Sequence, residues 1–210
     1  MIPLLCSCGD AALTQPTLEA CEQKIGQIQK IVIQRKYQSG TTLNKFVIGT
    51  SNPNVLASWT PLKSAIDSTK IITLPFVIDP TSEAGEPIRE GGGNASLNGI
   101  ATVEGHTATP FSAKLKNVKQ SVVEDLKKLE CEELGVYLVD NYGQIIGHTD
   151  DHSSPTDFLP IPIASQAFGD LTFGGFEASN KNLISWFFNP QWSNKLHVVT
   201  PTDFDALAEL

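Results

Sequence analysis

One short run of side chains has residue types that could bind a metal ion. His148-Thr-Asp-Asp-His152 supplies two imidazoles and two carboxylates. Two histidines four residues apart serve a metal best on a helix, where both project from the same face. This run leads directly into Ser153, Ser154 and Pro155, which are typical of a loop. We therefore expect a solvated turn here, with no metal ligand and no cofactor.

The sequence contains no recognisable catalytic nucleophile. His106 and His197 lie near expected strands, but no Ser or Cys motif accompanies them. The nucleophile-elbow, zinc-protease and dinucleotide-binding motifs are missing as well. Cys131 has glutamates at positions 130, 132 and 133, and negative neighbours disfavour the thiolate that a nucleophile requires. We expect a protein that is not an enzyme.

An aromatic cluster between Trp186 and Trp192 allows two interpretations. The run Trp186-Phe-Phe-Asn-Pro-Gln-Trp192 could present a platform on which sugar rings stack. Trp and Phe are also frequent in cores and enriched at subunit interfaces. We favour a role in the core and at an interface, and glycan binding is the alternative.

The charge of the chain argues against ordinary nucleic-acid binding. The 210 residues include 15 Lys and Arg against 23 Asp and Glu, which gives a net charge of −8, whereas DNA- and RNA-binding proteins neutralise phosphates with basic side chains. Residues 24–70 contain seven basic residues and one acid, and residues 129–180 contain nine acids and no Lys or Arg. Such blocks form solvated faces, or they meet between neighbouring subunits. No apolar run approaches the length of a membrane span, so we expect none.

Apolar, β-branched runs separated by turn residues predict a mainly-β protein. Strands are expected at residues 28–37, 46–48, 70–78, 100–103, 111–115, 158–163, 170–176, 183–188 and 196–199, with two more flanking a hairpin turn at 140–143. A short helix is expected at 61–67 and an amphipathic helix at about 121–132. In the longer helix, Ser121 and Glu124 would form a capping box, and Val122, Leu126 and Leu129 would share the buried face. The expected fold is an antiparallel β-sandwich or barrel with this one docked helix and long loops.

A polar segment at residues 79–99 interrupts the β pattern. It contains two prolines and five glycines but few hydrophobic residues, so it cannot contribute much to a core. Loops of this length are usually functional or flexible. The expected organisation is an N-terminal arm at 1–25, a single β-sandwich domain at 26–200 that carries this loop, and a C-terminal tail at 201–210.

The order of these segments resembles the tail tube and related virion structural proteins of long-tailed bacteriophages, particularly those that infect Bacteroidetes bacteria. The resemblance covers about residues 60–150. It consists of the β-prone run at 70–78, the glycine-rich loop that ends in Gly91-Gly-Gly-Asn-Ala-Ser-Leu-Asn-Gly-Ile100, the strands within 102–114, the helix at 121–132 and the hairpin at 134–147. It is a pattern of segments without an active-site signature.

The resemblance implies a non-enzymatic subunit that forms hexameric rings. The sheets of six subunits would close into an inner barrel, and the rings would stack through a long loop that reaches the next ring. The segment at 79–99 would be that stacking loop, with these candidate contact residues: Glu83, Glu86, Arg89, Glu90, Gly92 and Asn94. The partners would be other copies of the chain and other tail proteins. Double-stranded DNA would pass through the lumen during ejection without specific binding, and the acidic balance of the chain suits that role.

The same resemblance implies location in the virion tail after assembly in the cytoplasm of the bacterial host, with no membrane partner. Two alternatives remain open. The chain could be another virion component, a tail terminator or a head–tail completion protein, which makes one ring and stops. It could also be a soluble β-sandwich module that binds glycans through Trp186 and Trp192.

Overall fold

A computed structural model describes residues 24–151, 154–176 and 178–210 of the protein. Antiparallel β-strands dominate the structure. Strands account for 45% of the structure and helices for 17%, which confirms the mainly-β class expected from the sequence. Most of the expected N-terminal arm at 1–25 lies outside the described residues; its last two residues, Lys24 and Ile25, are described.

The chain forms fifteen strands and three α-helices within the described residues. The strands are β1 (Ile28–Arg35), β2 (Tyr37–Ser39), β3 (Thr42–Leu43), β4 (Phe46–Val47), β5 (Ile71–Thr73), β6 (Val77–Ser82), β7 (Pro87–Gly91), β8 (Ala101–His106), β9 (Thr109–Lys116), β10 (Leu134–Asp140), β11 (Ile145–Thr149), β12 (Asp157–Leu159), β13 (Ile161–Thr172), β14 (Lys181–Phe188) and β15 (Leu196–Val199). The helices are α1 (Leu56–Ser64), α2 (Gln120–Lys127) and α3 (Ala206–Glu209).

Two antiparallel sheets share strands where they meet. The first sheet has the order β5–β1–β10–β11–β15, with β12 and then β4 added beside the end of β11. The second has the order β13–β14–β9–β6. The start of β13 pairs with β10 at Gly135 and Val136, and three residues, 74–76, separate β5 from β6. β5 pairs with β1 in the first sheet, and β6 pairs with β9 in the second. The two sheets are therefore joined at both edges and enclose a core between them.

The interior between the sheets holds the larger of two hydrophobic clusters. It consists of Ile31, Ile33, Leu74, Val77, Phe111, Ala113, Leu115, Leu126, Leu134, Val136, Leu138, Ile146, Ile161, Ile163, Phe168, Ile184, Trp186 and Phe188. The smaller cluster covers the outer face of the first sheet and consists of Val32, Phe46, Trp59, Ile71, Tyr137, Val139, Ile145, Phe158, Val199, Ala206 and Leu210. Successive strand residues point to opposite faces, so β1 and β10, which lie between both clusters, are apolar without interruption.

Helix α2 differs from the expected helix at 121–132. It begins at Gln120, with Lys119 as the N-cap and no side-chain cap, and ends at Lys127. The expected capping box is therefore wrong, because Ser121 already lies inside the first turn. The helix buries Val123 and Leu126, whereas Val122, which was expected on the buried face, is at the surface.

Two further helices, α1 and α3, cover the outer face of the first sheet in addition to the docked helix α2. α1 spans Leu56–Ser64 and not 61–67, and Pro61 lies inside it. Trp59 anchors this helix: its side chain is fully buried, and its indole N–H donates to the Pro53 carbonyl at 2.8 Å. The last ten residues do not form a free tail, because α3 packs into the smaller cluster with Ala206 and Leu210 buried.

The segment at 79–99 is not a loop along its whole length. β6 continues to Ser82, and β7 pairs with β8 from Pro87↔His106 to Gly91↔Ala101, which makes a two-stranded hairpin at residues 87–106, here called the arm hairpin. Two short 3-10 turns, at Gly93–Ala95 and Leu97–Gly99, form its tip. β7 is exposed at every residue. Because neither face of β7 is buried, its sequence shows no apolar alternation from which pairing could be predicted.

Candidate assembly surfaces

The two ends of the second sheet differ in structure and in charge. β9 begins at Thr109 and ends at Lys116, and β6 runs antiparallel to it, with Ser82 opposite Phe111 and Val77 opposite Leu115. The arm hairpin therefore leaves the sheet at the end where Ser82 and Thr109 lie, which we call the hairpin end. The chain continues from Lys116 towards α2 at the opposite end, which we call the helix end.

The arm hairpin and its base hold all six candidate stacking residues. Glu83 and Glu86 precede β7, Arg89 and Glu90 lie in β7, and Gly92 and Asn94 lie at the tip. Two hydrogen bonds join the sides of the base: the Thr107 N–H donates to the Glu86 carbonyl at 2.9 Å, and the Glu86 N–H donates to the Thr107 side-chain hydroxyl at 2.9 Å. Gly92 has φ +101, a value that side chains rarely adopt, which allows the chain to turn into the tip.

Negative charge is concentrated on the arm hairpin and its base. Residues 83–106 contain four glutamates and one arginine, a net charge of −3 with histidine neutral. Glu104 lies across the hairpin from Glu90, and the hydrogen bond and repulsion between the two carboxyl groups raise the pKa of Glu104. Four apolar side chains are exposed on the same element: Ile88, Leu97, Ile100 and Val103. The hairpin thus combines acidic and apolar groups suited to contact with another surface.

The helix end carries the opposite charge. Residues 114–128 contain five lysines against Glu124 and Asp125, a net charge of +3. Some of this charge is used locally, since Lys128 pairs with Asp125 at 2.8 Å and Lys127 pairs with Asp170. Among the described residues, Lys116 and Lys119 form no ion pair. These two lysines leave positive charge available at the helix end.

The connection between β13 and β14 exposes two phenylalanines at the helix end. Phe173 is 82% exposed and Phe176 is fully exposed. Between them, Gly174 lies so close to the returning chain that a Cβ atom would come within 2.0 Å of the Ala178 carbonyl oxygen, and Gly175 has φ +76. The two glycines permit a tight turn that presents both rings outward. We call residues 173–176 the phenylalanine tip.

An apolar groove lies between α2 and β5. Its volume is 430 Å³; Ile72, Leu74 and Pro75 form one wall, and Val122 and Leu129 belong to the other. A cavity of 160 Å³ adjoins it and shares Ile72 and Leu129.

The structure separates the two tryptophans of the glycan hypothesis. Trp186 is 1% exposed and stacks on Phe111 with ring centroids 4.6 Å apart, so its proposed sugar contact is wrong. Trp192 stacks on Phe188 at 4.3 Å and lines a 520 Å³ cavity at the base of the arm hairpin. Most of the other lining residues carry hydroxyl or amide groups, including Thr107 and Ser193, and none is Asp, Glu, Lys or Arg. Only Trp192 could therefore contact a bound sugar.

The run at 148–152 is partly strand and not only a loop. His148 and Thr149 belong to β11, whereas His152 lies outside the described residues. Asp150 accepts hydrogen bonds from the Thr156 hydroxyl at 2.6 Å, the Thr156 N–H at 3.1 Å and the Asp157 N–H at 2.9 Å, which hold the pKa of its carboxyl far below the usual value. Asp150 therefore closes a turn. In the part of the chain that the structure describes, no three His, Cys, Asp or Glu side chains are grouped to hold a metal.

The basic and acidic blocks meet partly within one subunit. Arg35 pairs with Glu132 at 2.7 Å, and Lys45 pairs with Asp157 at 2.7 Å. The oppositely charged blocks of the sequence therefore pair in part within the same chain.

The described residues form a mainly-β fold of antiparallel sheets with three helices, and an exposed hairpin projects from one end. No family model, curated protein or solved structure matches the chain. None of the described helices is long and apolar enough to cross a membrane.

Proposed function

We propose that this chain is the structural subunit of a bacteriophage tail tube, which polymerises as stacked, hexameric rings around the channel for DNA. The observation that carries the proposal is the opposition of the two ends of the second sheet. The hairpin end is exposed and acidic, with a net charge of −3, and the helix end has a net charge of +3. One surface therefore complements a different surface of an identical subunit.

A contact between two different surfaces of the same chain is heterologous and does not close when the subunits are stacked along an axis. The arm hairpin of a subunit in one ring would contact the helix end of a subunit in the next, with Glu86 and Glu90 near Lys116 and Lys119. Repetition gives a tube without a fixed end. The overall charge of −8 suits a channel that conducts DNA without binding it.

Electron microscopy of the purified protein at high concentration tests this proposal. Tubes or stacked rings are the expected result, and a strictly monomeric protein would count against it.

A charge exchange tests the stacking contact directly. Glu86→Lys with Glu90→Lys should abolish tubes, and adding Lys116→Glu with Lys119→Glu should restore them, because the repulsion is then removed. Glu133→Lys changes an exposed acid that lies outside both surfaces and is the control. Loss of tubes without any recovery in the fourfold variant would argue against the proposed pairing of the ends.

The related virion functions, a tail terminator or a head–tail completion ring, would use the same ring but not repeated stacking. The number of copies in each virion separates these functions. One ring per virion would replace the tube assignment, and many rings would support it.

A second candidate, glycan binding, is favoured only by the cavity beside Trp192. An exposed part of an aromatic ring among hydroxyl and amide groups suits a neutral sugar. Glycan-array binding that Trp192→Ala removes and Trp186→Phe retains would support this function, since Trp186 is buried. Absence of binding to any glycan would exclude it.

A further inference from the structure

We propose that the phenylalanine tip of one subunit inserts into the α2–β5 groove of a second copy of this chain and forms the lateral contact within a ring. The proposal deepens the proposed function and rests on it for the ring. Its elements are Phe173 and Phe176 as the inserted side chains, and Ile72, Val122 and Leu129 as the surface that receives them.

The tip and the groove lie at the same end of the second sheet but at opposite edges. Thr172 pairs with Lys181, which pairs with Lys116, so the tip begins at the helix end beside β13, the strand at one edge. The groove follows β5, which continues into β6, the strand at the other edge, where Val77 pairs with Leu115. Neighbouring subunits at the same level around an axis would therefore bring the tip of one to the groove of the next.

The groove has the shape and chemistry that two aromatic rings need. Its volume of 430 Å³ falls in the range of ligand pockets, and its walls are mainly Ile, Leu, Val and Pro. The tip does not fill the groove of its own subunit, because Phe173 is 82% exposed and Phe176 fully exposed. Both features are thus unpartnered in one subunit and complementary between two.

Charged side chains beside the two surfaces are largely paired within the subunit. Lys70 and Asp125 both line the groove, and Asp125 pairs with Lys128. Arg35 in the adjoining cavity pairs with Glu132, and Asp170 near the tip pairs with Lys127. Apolar contact between the tip and the groove is therefore the interaction that drives insertion.

The area involved predicts how the contact behaves. Two phenylalanine side chains bury on the order of 300–500 Å² on the tip side, which is below the roughly 600 Å² or more that each partner buries in a stable pairwise interface. An isolated pair of subunits should thus associate weakly. A closed ring is more stable, because every subunit then contributes one tip and one groove.

Cross-linking tests the contact in the full-length chain. Cys6, Cys8, Cys21 and Cys131 are first changed to Ser, and Val122→Cys and Phe176→Cys are added singly or together. With a short bismaleimide, the chain that carries both cysteines should form a ladder of covalent oligomers. A mixture of the two single variants should give dimers that contain one copy of each, and neither variant alone should cross-link. Val47→Cys in place of Phe176→Cys is the control, since Val47 is exposed on β4 and belongs to neither the tip, the groove nor the arm hairpin.

Three results would each overturn the proposal: no ladder from the double variant, an equally strong ladder with Val47→Cys, or dimers of the Phe176→Cys variant alone. Electron micrographs of the same samples test the lateral contact and the tube function independently. Tubes without a ladder of cross-linked oligomers would reject only the lateral contact. A ladder without tubes would support the lateral contact and reject the tube function. In the natural cysteine background, Phe173→Ser with Phe176→Ser should weaken self-association about tenfold or more in sedimentation, with unchanged thermal unfolding. Unchanged association in that variant would also reject the contact.

Discussion

Removal of the arm hairpin should leave the subunit folded and prevent the rings from stacking. The change replaces residues 87–106 with Asn-Gly, which joins Glu86 to Thr107. These two residues already face each other, with the Thr107 N–H bonded to the Glu86 carbonyl at 2.9 Å, and Asn-Gly is a favoured two-residue hairpin turn. The deletion must include both strands, because removal of 82–97 alone would leave β8 without its partner.

The expected change in stability follows from the exposure of the hairpin. Neither hydrophobic cluster includes a residue of 87–106, so no core contact is lost. A two-stranded hairpin is only marginally stable by itself. Each halving of a connection lowers its closure cost by about 0.6 kcal/mol, so a tenfold shortening contributes about 2 kcal/mol. The free energy of unfolding should thus stay equal or rise by up to about 2 kcal/mol, which raises the melting temperature by at most about 8 °C.

Two measurements on the same preparations are needed. Urea unfolding followed by circular dichroism gives the stability of the shortened subunit, and electron microscopy of concentrated samples counts stacked rings. The control is Gly105→Ala, which keeps the hairpin and changes an open position on it, where a Cβ atom would have no neighbour within 4 Å.

Either of two results would refute the reasoning. A shortened chain that unfolds at much lower urea than the natural one would mean that the hairpin is part of the folded core. Tubes of normal length from the shortened chain would mean that the hairpin has no part in stacking.

Three further predictions concern packing, pH and salt. Trp59→Phe should lower the free energy of unfolding, measured in urea, by about 1–2 kcal/mol more than Trp186→Phe does. Trp59 donates a hydrogen bond to the Pro53 carbonyl, whereas the buried Trp186 N–H has no partner among the described residues. Equal losses of stability in the two variants would contradict this. The hydrogen bonds to Asp150 lower the pKa of its carboxyl in the folded state, so Asp150→Asn should lower the melting temperature at pH 7. The difference in melting temperature between the natural chain and the variant should shrink as the pH falls below 3.8, the ordinary pKa of aspartate, because the carboxylate that accepts these bonds is then lost. A difference that grows in acid would contradict this. Raising NaCl from about 0.1 M to about 1 M shortens the Debye length from about 10 to about 3 Å, which weakens attraction between the charged ends of neighbouring subunits. The lowest protein concentration at which light scattering detects assembly should therefore rise. An unchanged concentration would argue against stacking through opposite charges.

Strands whose side chains are buried could be predicted well from the sequence. β1 and β10 lie between two hydrophobic clusters, and their unbroken apolar runs reflect burial on both faces. The hairpin turn after Asp140 was also predictable: Gly143 has φ +76, and its N–H donates to the Asp140 carbonyl at 3.0 Å. Both features could be predicted because an unbroken apolar run and a turn sequence are local patterns within a few consecutive residues.

Features that depend on distant contacts were predicted poorly. α1 extends upstream of Pro61 because Trp59 is buried under Phe46 and Tyr137, which are far away in the sequence. The C-terminal residues are packed because the smaller cluster has space for Ala206 and Leu210. β7 was missed because its hydrogen bonds to β8, and not burial, hold it in place. In the sequence, Trp186 and Trp192 are equally plausible sugar-binding residues. In the structure, the side chain of Trp186 in β14 lies in the core, whereas Trp192 follows the strand and is only partly buried.

Four features follow from the amino-acid sequence alone: the mainly-β class, the net charge of −8, the turn at Gly143 and the long polar segment rich in glycine. Composition and local periodicity are sufficient for such conclusions. Three other features are seen only in the fold: the polar segment is a hairpin, it projects from one end of a sheet, and lysines and the phenylalanine tip lie at the other end. The reason is physical: the relative position of two surfaces depends on strand pairing between distant residues, and pairing is set by the packing of the whole core.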